Sequence, residues 1–180
     1  FKVPPLSFFQ VNVDMIAAMV DCIQDFFGLD GRHFLLDAYC GVGLFTLLLS
    51  KKTRRSMGIE SDPLAIEFAK RNALGNGITN CEFHAKSVEK VCKHPEKYFD
   101  EKPDYVILDP TRAGCEAVVL EAISKLAPEK IAYVSCNPTT LARDIHILCQ
   151  KNYRLERVQP IDLFPQTMHC EVIACLELGS

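Results

Sequence analysis

From Phe34 to Gln150, apolar runs of strand length alternate with segments whose apolar residues recur at helical spacing. This alternation constrains the fold more than any other feature. Strands are expected at Phe34-Leu35-Leu36, ending at Asp37, at Ser56–Ile59, ending at Glu60, and at Cys81–His84. Two more follow at Tyr105–Leu108, ending at Asp109-Pro110, and at Ile131–Ser135. Helical spacing links Val13, Ile16, Met19, Val20, Ile23 and Phe27 until Gly28 stops the run, and further helices cover Leu44–Ser50, Glu116–Leu126 and Pro138–Gln150. Asp62-Pro63 has the form of an N-cap followed by proline in the first turn, opening a helix to about Leu74 that Gly75-Asn76-Gly77 closes. Strands and helices in turn imply an α/β fold, a mostly parallel sheet wrapped on both faces. Tyr153–Ile161 and Cys170–Leu178 have no helix between them and should pair antiparallel.

At 180 residues the chain has the size of one ordinary domain. It is 48% hydrophobic and 24% charged, with 9 Gly and 10 Pro, which excludes collagen-like and disordered classes. Its longest apolar stretches, such as Leu44–Leu49, are far shorter than a bilayer span of ~20 residues. No secretory leader is evident in Phe1-Lys2-Val3-Pro4-Pro5, and the missing initiator Met suggests a fragment or processed chain. The nine cysteines are odd in number and contain no C-x-x-C pair, so free thiols in a reducing compartment are expected and a metal site is not. His33, His84, His94 and His146 share no ligand spacing. A net charge of −3 provides no global attraction to polyanions.

Ligands of such sheets bind outside the carboxyl ends of the strands. The chemically interesting residues fall there. Asp37-Ala38-Tyr39-Cys40-Gly41-Val42-Gly43 leads from a buried strand into a helix, a turn whose backbone a ligand could approach closely. Gly41-x-Gly43-x-x-Thr46 lacks the third glycine of a dinucleotide fingerprint. Glu60, 17 residues beyond Gly43, can accept hydrogen bonds from both hydroxyls of a ribose, or simply cap the next helix in solvent. Turn and acid together fit a nucleoside-containing cofactor, either NAD or S-adenosylmethionine. Asp109, fixed by Pro110, places a carboxylate beside the same crevice or else makes an ordinary turn. Cys136 stands between a strand and a helix whose first turn contains Pro138, where the positive end of that helix favours a thiolate nucleophile and a small buried side chain is the equal alternative. Cys22 and Cys149 lie within helices and read as packing residues. Glu171 opens a largely apolar strand, where a charge is costly unless it is used, paired or facing water.

Read together, these segments resemble the RNA uracil-5-methyltransferase family, which makes 5-methyluridine in tRNA and rRNA. The likeness runs through Ser7-Phe8-Phe9-Gln10-Val11-Asn12, Leu36–Gly43, Gly58-Ile59-Glu60 and Leu108-Asp109-Pro110-Thr111-Arg112-Ala113-Gly114. It continues in Val134-Ser135-Cys136-Asn137-Pro138 through Asp144 and in Asp162-Leu163-Phe164-Pro165 through Glu171. The resemblance implies a Rossmann-like class I S-adenosylmethionine-dependent methyltransferase, with a seven-stranded, mostly parallel sheet and an antiparallel last strand. It also implies that residues 1–180 form a single catalytic domain and that N-terminal RNA-binding segments lie outside this chain. Gln10, Tyr39, Glu60 and Asp109 would line the S-adenosylmethionine site, Ser87 falls at a further contact position that varies in the family, and Phe8 would help hold the target base. Cys136 would be the nucleophile and Glu171 the base. No metal is implied. Thr111, where the family often has Pro or Ala, departs from the pattern.

The implied substrate is RNA, with a tRNA T-loop uridine favoured by the His169-Cys170-Glu171 form and rRNA as the alternative. The implied setting is inside the cell, in cytoplasm or nucleus, with the mitochondrion also open. Competing classes are a non-catalytic binding module that retains the fold and a methyltransferase acting on a small molecule or protein. An NAD dehydrogenase is weakest, because the third glycine and a hydride-transfer acid are both missing. Lys51-Lys52-Thr53-Arg54-Arg55 and Lys151-Asn152-Tyr153-Arg154 read as solvated faces in preference to RNA contacts. This chain alone should therefore bind RNA weakly and with steep salt dependence. Filter-binding titrations against a longer form carrying the N-terminal segments would refute this if the two affinities matched.

Overall fold

The computed structural model describes residues 2–3, 13–162 and 170–179. Helix α1 (Val13–Phe27) precedes β1 (Phe34–Ala38), which leads through α2 (Leu44–Leu49) to β2 (Arg55–Glu60). The chain continues through α3 (Pro63–Gly75), β3 (Cys81–Ala85), α4 (Val88–Lys93) and β4 (Tyr105–Leu108). It ends with α5 (Ala117–Leu126), β5 (Lys130–Ser135), α6 (Pro138–Cys149), β6 (Tyr153–Ile161) and β7 (Glu171–Leu178). The expected caps are present: Asp62 accepts the Leu64 N–H ahead of Pro63, and Asn137 accepts the Thr139 N–H ahead of Pro138.

One seven-stranded sheet results, in the order β3-β2-β1-β4-β5-β7-β6. Strands β1 to β5 are mutually parallel. Strand β7 is inserted between β5 and β6 and runs antiparallel to both, as the helix-free connection predicts. The chain first moves from β1 toward β3, then returns to β4 on the other side of β1. The carboxyl ends of β1 and β4 therefore flank the switch point at which such sheets open a crevice.

Period two sorts the strand side chains between two helical layers. Leu36, Ala38, Val106, Leu108 and Tyr133 face Val91, Val119, Ile123, Leu141 and Leu148 from α4, α5 and α6. Leu35, Ile107, Ala132 and Val134 face Met19, Ile23 and Phe27 of α1 and Phe45 and Leu49 of α2. Against the other edge, Ile66, Ala69 and Ala73 of α3 pack on Phe83. Helix α4 has no counterpart in the sequence reading. It is only 6 residues long, too short for a periodic signal, and Ser87 starts it by accepting the Lys90 N–H.

Lys51 and Lys52 precede β2, and Lys151 precedes β6, so both basic clusters lie at the sheet end opposite the crevice. Arg54 and Arg55 there pair with Glu101, Glu82 and Asp100, and Arg154 pairs with Glu156 and Glu177. This agrees with solvated faces. Outermost strand β6 is exposed from Arg154 to Pro160. A register shift between Leu155 and Arg157, together with Pro160, makes it a poor template for another chain.

Gly58 of β2 leaves no room for a side chain. A Cβ there would come within 2.7 Å of both Cys40 Sγ and a Phe83 ring carbon. Gly58→Ala is expected to destabilise the fold by about 1–3 kcal/mol through overpacking, lowering the urea midpoint with an unchanged slope. Equilibrium urea unfolding checks this.

Candidate functional site

The turn after β1 is built from left-handed backbone. Tyr39, Gly41 and Gly43 have φ of 70°, 53° and 83°. This tight path lets the Tyr39 and Cys40 N–H groups both reach Ile59 O of β2, at 2.9 and 3.0 Å. The two glycines do different things. A Cβ on Gly43 would meet Phe83 at 3.0 Å and Ala69 at 3.3 Å, whereas at Gly41 it would meet nothing within 4 Å. Gly43 thus permits helix–strand packing, and Gly41 leaves bare backbone facing open space.

Asp37 lies beneath this turn, fully buried. Its Oδ2 accepts the Thr46 N–H at 2.9 Å and the Thr46 hydroxyl at 2.5 Å, anchoring α2, while Oδ1 is buried without a partner. At the end of β2, Glu60 accepts from Gly41 N–H at 3.2 Å, Ser61 Oγ at 2.9 Å and Asp62 N–H at 3.0 Å. A carboxylate has about four acceptor positions. Two ribose hydroxyls at Glu60 would therefore need one of these local donors to yield. The Tyr39 hydroxyl is committed elsewhere, donating to Glu89 Oε1 at 3.3 Å beside the Cys115 thiol. Ser87 stands at the carboxyl end of β3 as the cap of α4.

On the far side of the switch point Asp109 follows β4, its N–H donating to Ala38 O at 3.3 Å. Cys136 follows β5, half-buried, between two residues tied to each other. Ser135 Oγ donates to Asn137 O and accepts from Asn137 N–H, both at 3.1 Å. The β5–β7 ladder ends with Ser135 opposite Val172. Cys136, in the turn that follows β5, and Glu171, the first residue of β7, are each the next residue beyond that last pair. Glu171 is itself in the ladder with Ile161 and is 7% exposed. Tyr39, Glu60, Asp109, Cys136 and Glu171 thus share one end of the sheet. Gln10, Phe8 and His169 lie outside the described residues.

The electrostatics of this end are one-sided. Burial pushes the Glu171 carboxyl up to about 7. Burial also pushes Asp37 up to about 7, against the Thr46 hydrogen bonds and with the Glu60 charge adding to it. Asp109 is driven well above the carboxylate range by burial, then by the charges of Glu171, Asp37 and Glu60. Among the described residues, no Lys, Arg or His forms an ion pair with any of these four acids. A ligand bringing positive charge and hydroxyl donors fits this set: four acids without a counter-charge, one orphan acceptor and open backbone at Gly41. No group of His, Cys, Asp and Glu suited to a metal occurs among the described residues.

Sequence reasoning located Asp37 without a role and passed over Asp144. Each had a visible signal. Asp37 is the one acid of an otherwise apolar strand, and Asp144 lies on the buried face of α6 with Leu141 and Leu148.

Comparison with known proteins bears on this geometry. A family model described as tRNA (uracil-5-)-methyltransferase matches residues 1–178. An uncharacterised RNA methyltransferase of Oceanobacillus iheyensis is 44% identical over 179 residues, covering 99% of this chain and 39% of the relative. One from Nostoc is 44% identical over 180 residues, covering 99% and 38%. The chain thus spans about two fifths of the length of the curated relatives it matches. Among solved structures, the Pyrococcus abyssi tRNA (uracil-54, C5)-methyltransferase in complex with S-adenosyl-L-homocysteine superposes with a TM-score of 0.82 at 35% identity, over 96% of this chain and 40% of that one. A Streptococcus thermophilus rRNA methylase, at 16% identity and TM-score 0.72 over 88% and 95%, shares the fold.

The raised carboxyls predict a pH dependence of stability. Groups whose folded pKa lies above the unfolded value of about 4 stabilise the fold most at low pH and lose that contribution as pH rises through the folded value. For Asp37 and Glu171 that value is about 7. The ligand-free melting temperature should therefore fall between about pH 5 and pH 8, and Asp37→Asn should raise it at pH 8 and flatten the profile. Thermal melts across this range test both; a wild-type profile matching that of Asp37→Asn would refute the assignment.

Proposed function

The chain belongs to the tRNA (uracil-5-)-methyltransferase family, and on that premise we propose that residues 1–180 are a catalytic domain methylating C5 of a uridine in RNA. The methyl donor in this reading is S-adenosylmethionine, and the substrate a tRNA T-loop uridine inside the cell. The observation that supports this reading is the β5–β7 register, whose last pair, Ser135 and Val172, lies next to Cys136 on one side and Glu171 on the other, at the switch-point end of the sheet. The family description and the name of the Pyrococcus abyssi enzyme both favour tRNA over rRNA.

When bound, S-adenosylmethionine supplies an electrophilic methyl group on a positively charged sulfur. The donor set described above suits it: Glu60 for the ribose, Asp109 for a polar or cationic part, Tyr39 and Gly41 as turn backbone, and Gln10 from outside the described residues. A positive charge bound beside these acids would favour their ionised forms, so cofactor binding and proton release are coupled.

C5 of uracil is a weak nucleophile until a sulfur adds at C6. Addition of the Cys136 thiolate to C6 would move the ring electrons onto C5 and O4, making C5 nucleophilic toward the methyl carbon, whose bond to sulfur breaks as the new bond forms and whose electron pair returns to the sulfur to give the neutral thioether. Glu171 removes the C5 proton, the C5–C6 double bond re-forms, and Cys136 leaves. A carboxylate held near 7 by burial is a stronger base than an exposed one, which suits this step. Attack on C6 needs the base out of its stack, at a cost of a few kcal/mol, and loop uridines meet that most readily.

Cys136→Ser should reduce 5-methyluridine formation to background and abolish the denaturation-resistant adduct with 5-fluorouridine RNA, while retaining S-adenosylmethionine binding. Glu171→Gln should lower turnover by at least about 10²-fold and accumulate the covalent RNA complex. Labelled cofactor with separated tRNA and rRNA pools, nucleoside analysis and denaturing gels read all of these. Methylation by Cys136→Ser would overturn the mechanism, and label in rRNA alone would overturn the substrate.

A further inference from the structure

Asp144 takes no part in that chemistry, yet its carboxylate is fully buried and engaged on both oxygens. Oδ2 accepts from the Tyr133 hydroxyl at 2.5 Å and from the Cys115 N–H at 2.8 Å, and Oδ1 accepts from Arg143 Nε at 2.8 Å. Arg143 Nη2 carries the contact onward, donating to Ala113 O at 3.0 Å and Cys115 O at 3.4 Å. Closer to Cys136, Asn137 Nδ2 and Thr140 Oγ1 both donate to Arg112 O, at 3.0 and 3.2 Å. The first two turns of α6 thereby grip the backbone at residues 112, 113 and 115. Gly114 fits beneath this grip only because it has no side chain: its φ is +77°, and a Cβ would come within 2.5 Å of Asp144 Oδ2 and 2.6 Å of Arg143 Nη2.

The location of these contacts distinguishes them from general packing. The β4–β5 ladder ends at Leu108 opposite Tyr133. Beyond that pair the two connections leave the sheet separately, one carrying Asp109 and the other Cys136. Main-chain pairing no longer fixes their separation there. Arg143 is half-exposed but Asp144 is fully buried, so losing these contacts would leave a buried carboxylate without its hydrogen bonds and its counter-charge.

We infer that the Arg143–Asp144 pair, with Thr140, is a positioning clamp that holds the 109–115 loop against the Cys136 turn, so that methyl donor and nucleophile meet in register. The inference rests on the function proposed above. It assigns no bond-making step to any of the three residues. Misplacement by about 1 Å at a reacting centre can cost 10²-fold in rate, so the clamp should act on turnover and much less on binding.

The test compares wild type with Asp144→Asn, Arg143→Ala, Thr140→Val and Thr140→Ser. Asp144→Asn and Arg143→Ala should lower kcat on tRNA by about 10- to 100-fold, with KM for tRNA and Kd for S-adenosylmethionine changed less than about threefold. Thr140→Val should lower kcat severalfold, and Thr140→Ser, which keeps the hydroxyl, should restore it. Hydrogen exchange at the Cys115 amide should accelerate in Asp144→Asn whether or not the protein is active. Unchanged exchange at Cys115, or an Asp144→Asn protein with wild-type kcat, overturns the clamp. If Asp144→Asn fails to fold, equal kcat in Thr140→Val and Thr140→Ser overturns it. A wild type that forms no 5-methyluridine although Cys115 exchange responds to Asp144→Asn instead overturns the function reading, and the clamp's part in turnover with it.

Discussion

Like charges brought together out of water govern this molecule. Asp37, Glu60 and Asp109 stand at or just beyond the carboxyl ends of parallel strands, and antiparallel β7 brings Glu171 at its amino end to the same end of the sheet. Nothing among the described residues offsets that concentration with a cation, so the apo domain retains protons there that the unfolded chain would release. Such an arrangement is costly for a fold and useful for a binding site. A cationic guest would favour release of those protons, and the same burial that raises Glu171 also makes it a better proton acceptor.

The surrounding architecture serves to hold these acids in place. Asp37 is fixed by Thr46 at the start of α2, Glu60 by the backbone of Gly41 and Asp62, and Asp109 by a loop that α6 grips from below. The glycine turn divides its work between Gly43, which lets Phe83 and Ala69 close under it, and Gly41, which keeps the surface bare. Helix layers on both faces make the strands rigid enough for such placements to hold.

Much of this was legible in the residues. Strand β4 is a continuous apolar run closed by Asp109-Pro110, and helices α3 and α6 announce themselves through a capping side chain followed by proline. Because parallel strands present their carboxyl ends together, the location of the site followed once the order of elements was read. What was not legible depends on three-dimensional neighbours. Nothing local in α4 marks a helix, since its two turns gain stability from Val88, Val91 and Cys92 meeting the sheet. The role of Asp144 depends on Tyr133 and Cys115, distant in sequence until the fold closes. Nor could spacing reveal that β7 enters between β5 and β6, the placement that sets the strand opening with Glu171 alongside β5.

That insertion has a temporal consequence. A strand that seals the middle of a sheet cannot dock until both flanking strands exist, and β7 is the last described element along the chain. Along the chain, the β5–α6 turn at Cys136 precedes the strand that opens with Glu171 by one helix and one strand. On a growing chain the turn that carries Cys136 therefore forms beside an unfilled slot, and the sheet is continuous across its last three strands only when the domain closes on itself.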